Sequence, residues 1–78
     1  MSIQEKTEQL LNLAFQGKTV KEIRYMTQEE ANNIGWDSRP IVIFFGDGSF
    51  MFPQMDDEGN DGGALATSLE QLPTVGVI

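Results

Sequence analysis

Two apolar runs, Ile41-Val42-Ile43-Phe44-Phe45 and Phe50-Met51-Phe52, flank the turn Gly46-Asp47-Gly48-Ser49 and constrain this chain more than any other feature. Asp-Gly supports the positive φ angles of a type I′ turn, so the pattern predicts a β-hairpin over residues 40–53. With Asp47 and Gly48 as a two-residue loop, Phe45 faces Phe50, Phe44 faces Met51 and Ile43 faces Phe52. Successive strand residues point to opposite faces, and here both faces are apolar, which an antiparallel sheet with one wet side does not need. Both faces must therefore be covered. A helix can cover one, and the other requires a second helix, closure of the sheet, or another copy of the chain.

The flanking segments supply those covers. Ser2 followed by Glu5 reads as a capping box, with Ile3, Leu10, Leu11, Ala14 and Phe15 near one face at helical spacing and Gly17 as the stop, giving a helix over residues 3–16. Residues 18–26 are rich in β-branched and aromatic types and read as a strand whose Thr19, Ile23 and Tyr25 share a side with Lys21. Thr27 and Glu30 repeat the capping box before a short helix over 28–34, which ends at Gly35. Trp36 follows at once, either a lid over the core or a binding anchor. Pro53 cannot donate to a ladder and marks a strand end or an edge. Residues 56–63 form an acidic glycine loop, and residues 74–78 read as a final strand entered through Pro73 and tied into the sheet.

These elements make an α+β chain. The expected architecture is an N-terminal helix packed on a small, strongly bent antiparallel sheet or a partly open barrel of the SH3 or Sm-like class. The 78 residues suffice for one small domain, which buries roughly 60% of the surface its unfolded chain exposes.

Composition excludes more than it assigns. There is no cysteine and no histidine, so disulfides, thiolate chemistry, the usual zinc sites, a Ser-His-Asp arrangement and a pH switch near neutrality all drop out. Formal charge is −7, and all five cations (Lys6, Lys18, Lys21, Arg24, Arg39) precede Pro40. A half-chain with no Lys or Arg cannot neutralise phosphates, so no nucleic-acid partner is expected, even for an Sm-like barrel. No apolar run approaches the ~20 residues that span a bilayer, and the N-terminus lacks a signal-peptide pattern, so the expected setting is cytoplasmic with no membrane partner.

Polar side chains gather densely in one place. Asp56, Asp57, Glu58, Asn60 and Asp61 could offer oxygen ligands to calcium or magnesium. Aligned on Asp57, however, an EF-hand loop would carry Gly59 at its third position and Ser68 at its twelfth, where ligands are needed. The competing reading is a solvated turn in which glycines allow tight dihedral angles and Asp and Asn bond nearby backbone. Gly46-x-Gly48 lacks the rest of a phosphate-binding fingerprint. No catalytic residue is assigned, because carboxylates in a wet loop lack the pocket and the raised pKa of general acid-base work.

The succession Tyr25-Met26-Thr27-Gln28-Glu29-Glu30, Gly35-Trp36, Arg39-Pro40, Asp47-Gly48-Ser49, Asp56-Asp57-Glu58-Gly59-Asn60 and Gly63-Ala64-Leu65 resembles a family of small uncharacterised proteins of bacteria and tailed phages. The likeness covers roughly residues 19–78. It implies a bacterial cytoplasm, or the host's cytoplasm for a phage protein, and no activity. The expected function is a small non-enzymatic interaction or accessory protein, self-associating through the apolar hairpin, with Trp36, Phe44 and Met51 as candidate interface residues and another protein as an alternative partner. Competing readings are a divalent-metal protein or small enzyme built on the acidic loop, and a nucleic-acid-binding barrel that the charge disfavours.

Overall fold

The computed structural model describes residues 1–78 and has the α+β order read from the sequence. Helix α1 spans Ile3–Phe15, strand β1 Val20–Tyr25, helix α2 Gln28–Asn33 and strand β2 Ile41–Phe45. Strands β3 (Phe50–Met51), β4 (Leu65–Ala66) and β5 (Thr74–Val75) are two residues each. One sheet has the order β1-β2-β3 and a second pairs β4 with β5, all antiparallel, so no barrel closes.

Both helices start where the capping boxes fall. The Ser2 hydroxyl accepts the Glu5 N–H at 3.1 Å while the Glu5 carboxylate accepts the Ser2 N–H at 3.3 Å, satisfying two donors that a helix start leaves orphaned. Thr27 and Glu30 do the same for α2, at 3.1 and 2.8 Å. Gly17 and Gly35, at φ +79° and +73°, turn the chain out of each helix.

The hairpin forms in a different register from the one expected. Ile43 pairs with Met51 and Phe44 with Phe50, and the Phe45 N–H donates to the Ser49 carbonyl. A type I′ turn needs positive φ at both central residues, but Asp47 does not adopt it and Gly48 alone does, at φ +89°. Instead the Gly48 N–H donates to the Phe45 carbonyl at 3.0 Å, closing a three-residue loop with glycine at the left-handed position. This one-residue slip sets Phe44 with Phe50 on one face, and Ile43 with Met51 on the other.

Strand β1 also departs from simple alternation. Val20 pairs with Phe45 and Glu22 with Phe44, so Lys21 is the extra residue of a bulge. Val20, Ile23 and Tyr25 then share a face while Lys21 falls out of step, which removes the conflict of a lysine among apolar neighbours.

The core gathers on the face that α2 covers. Met26, Ala31, Trp36 and Val42 are buried together, with Phe44 and Phe52 packed against them, and Pro40 is fully enclosed. On the opposite face Phe45 is buried under Phe15, their rings 5.1 Å apart. That contact is where α1 meets the sheet. No residue of α1 is buried, and Ile3, Leu10 and Leu13 are 85%, 67% and 78% exposed. The helix therefore reaches the sheet at its last turn and leaves its apolar stripe in solvent.

The segment after β5 is held differently from the five-residue strand expected over 74–78. Ile78 and Arg39 exchange two backbone hydrogen bonds, and the Tyr25 hydroxyl donates to the Gly76 carbonyl at 3.1 Å. Thus the 74–78 segment is anchored to the start of β2, while Thr74–Val75 pairs with β4. No helix is long and apolar enough to cross a membrane.

Candidate functional site

The acidic loop spends its side chains on its own backbone. Asp56 accepts from the Glu58 and Asn60 N–H groups at 3.0 and 3.2 Å and from the Asn60 amide at 2.7 Å. Asp61 accepts from the Ser38 N–H and hydroxyl at 3.0 and 2.6 Å and from the Gly62 N–H at 2.8 Å. These donors favour the charged form, so both carboxyls lie below the usual Asp range, the Asn60 amide leading for Asp56 and the Ser38 hydroxyl for Asp61. Asp57 and Glu58 are exposed. No three acidic side chains converge in a geometry that could hold a metal ion. Asp56, Asp57, Glu58, Asn60 and Asp61 thus share a loop without sharing a centre, because two of the four carboxylates brace the turn.

The loop also reaches the core. Its Gly59 carbonyl accepts the Trp36 indole N–H at 2.8 Å, and Asp61 holds Ser38 two residues further along. Gly63 passes so close to Gln54 that a Cβ there would sit 2.6 Å from the Gln54 carbonyl oxygen. The dense polar cluster is therefore a clasp over Trp36.

Trp36 is 6% exposed and meets Phe52 edge-on at 5.4 Å. This corrects its candidacy as an interface residue: its ring fills the core and its one donor is taken. Phe44 and Met51, expected to face each other across the hairpin, lie on opposite faces of the sheet.

Phe44 floors an open groove of about 250 Å³ between α2 and the hairpin, lined by Met26, Ile34, Val42, Phe50 and Phe52 with Glu30 and Asn33 at the polar rim. Beside it, Arg24 makes two hydrogen bonds to Glu30 at 2.8 and 3.1 Å and lies 4.5 Å over the Phe44 ring. The Arg24 hydrogen bond, followed by the Thr27 N–H, holds the Glu30 carboxyl down at about 2.

Met51 belongs to the other face. There Ile23 and Met51 are exposed and Ile43 is half-buried, an apolar strip that β1 extends to the edge of the sheet. The sequence pattern puts Ile23 on a strand side with Thr19 and Tyr25 but does not mark it as an interface residue, because Lys21 on the same side blurs the alternation that identifies an apolar face. At the turn end, Lys18 bridges to Asp47, whose carboxyl is lowered first by that lysine and then by Ser49.

No buried side-chain polar atom lacks a hydrogen-bond partner. The interior accordingly aims no unpaired donor or acceptor at a ligand, and what the surface offers is apolar area. No family model, curated protein or solved structure matches this chain.

Proposed function

We propose that this chain is a small non-enzymatic interaction protein that self-associates, and that it belongs with the bacterial and phage proteins its motifs resemble and works in the cytoplasm. The carrying observation is surface. A compact chain of 8.7 kDa should expose about 4,700 Å², whereas this one exposes 5840 Å². Its radius of gyration is 13.8 Å, against about 11.5 Å for a compact chain of this length. The surplus of about 1,100 Å² exceeds the ~800 Å² that each partner gives to a standard interface.

The surplus is apolar where it matters. It includes the α1 stripe of Ile3, Leu10 and Leu11 and the sheet face of Ile23 and Met51. A second copy supplies matching surface without invoking another gene product, and a two-fold contact closes on itself. Self-association thus draws on the apolar side of the sheet that carries Ile23 and Met51, and Trp36 lies outside it. Sedimentation equilibrium tests the reading: a dimer at micromolar concentration is expected, and a strict monomer at high micromolar concentration overturns it.

A further inference from the structure

We propose that two copies pair through their β1 edges, antiparallel about a two-fold axis at Ile23, so that two three-stranded sheets become one of six strands. This rests on the self-association reading and adds its contact surface and register.

Strand β1 is an edge of its sheet, and Val20, Lys21, Glu22 and Ile23 are all exposed. In an antiparallel ladder alternate residues bond to the neighbour and those between aim outward. The Met26 N–H donates to the Pro40 carbonyl at 2.8 Å, which places the bonded pairs at Arg24↔Val42 and Glu22↔Phe44 within the observed register. Ile23 and Tyr25 therefore turn their N–H and C=O groups to the open edge. Arg24 covers the Tyr25 carbonyl at 3.0 Å, leaving Ile23 as the centre of the free template.

Charge selects the register. With Ile23 opposite the partner's Ile23, the two residues exchange both backbone bonds, and Glu22 stands opposite the partner's Arg24 on each side of the axis. That pair is of the non-hydrogen-bonded type, with Cα atoms about 4.5 Å apart and side chains close. Moving the axis to Glu22 or to Arg24 sets like charges face to face, and moving it to Lys21 does the same at the bulge. Arg24 is already held by Glu30, by Phe44 and by Glu22, whose carboxylate lies 3.5 Å from its Nε. Little side-chain freedom is therefore lost when the partner's Glu22 arrives.

The same geometry limits growth. The Lys21 bulge ends the free edge on one side. The other edge of the sheet, β3, is two residues long and runs into Pro53, which has no N–H. The assembly closes as a dimer instead of extending as a fibre. Antiparallel pairing also places each Val20 end, where the chain arrives from α1, beside the partner's Tyr25 end.

Amide exchange and isotope-filtered NMR on the full chain test the register. Raising concentration from the monomeric to the dimeric range should slow exchange of the Ile23 amide at least about tenfold, and a mixed-label sample should show contact between the Glu22 Hα and the partner's Arg24 Hα. Glu22→Arg, a change at an exposed edge position, should weaken the dimer by at least about tenfold, because it sets like charges across both sides of the axis. A dimer with an unprotected Ile23 amide, or one that tolerates Glu22→Arg without loss, overturns the β1 pairing and leaves self-association standing. A strict monomer overturns both.

Discussion

The Trp36 core and helix α1 make opposite use of similar material. Helix α2 has six residues and buries Ala31 completely beside Met26, Trp36 and Val42. Helix α1 has thirteen, with a better apolar stripe, and buries none. What separates them is how each is held against the sheet. The core side is clasped from outside by Gly59 and Asp61, which fix Trp36 and Ser38. On the α1 side a single ring pair, Phe15 on Phe45, anchors the last turn and nothing anchors the first. Periodicity tells which face of a helix seeks burial; separate anchors decide whether the chain itself can provide it.

That contrast can be broken in several ways. Trp36→Ala should produce the largest effect, a loss of about 3–5 kcal/mol from a well-packed aromatic site, read by urea denaturation of the monomer. Gly63→Ala should follow at about 1–3 kcal/mol, since its methyl would press on the Gln54 carbonyl at 2.6 Å and pull the clasp from Trp36. An unchanged midpoint would show that the clasp contributes nothing.

Acid should come next. Glu30 has a folded-state pKa of about 2 against an ordinary 4.5, so the stability it contributes is present above about 4.5 and is lost as pH falls toward about 2. Melting temperature should drop across that window, and Glu30→Gln should flatten the drop; an identical profile in the variant removes Arg24–Glu30 as its source. The smallest change belongs to α1. Leu13→Ala, at a side chain 78% exposed, should alter monomer stability by less than about 0.5 kcal/mol, again by urea denaturation. A loss comparable to Trp36→Ala would mean that α1 is packed after all.

Local signals in the sequence were legible and distant ones were not. The two capping boxes locate both helix starts, because the bonds involved span three residues. Hairpin identity was equally plain from Asp47-Gly48. Its register was missed because the same dipeptide serves both the two-residue loop and the three-residue loop with a glycine bulge, and the choice depends on whether Asp47 takes positive φ. A two-residue strand such as β4 carries too little pattern to be seen, and β5 is legible only as the start of the longer strand expected over 74–78. The acidic loop shows the division within one segment. Its Asx turns follow from Asp56, Asn60 and the glycines, but the bonds to Trp36 and Ser38 join residues 23 apart, and nothing in the local spacing of carboxylates announces a partner so far away.

Those two bonds draw residues 36–61 into a ring with no covalent link. A chain of this size commonly relies on a disulfide for such closure, and this one has no cysteine. The substitution has a kinetic side. A disulfide persists in the unfolded chain and restricts it, whereas the Trp36–Gly59 and Ser38–Asp61 ring dissolves completely on unfolding and re-forms without thiol exchange. Its closure is consequently indifferent to the redox state of the surroundings.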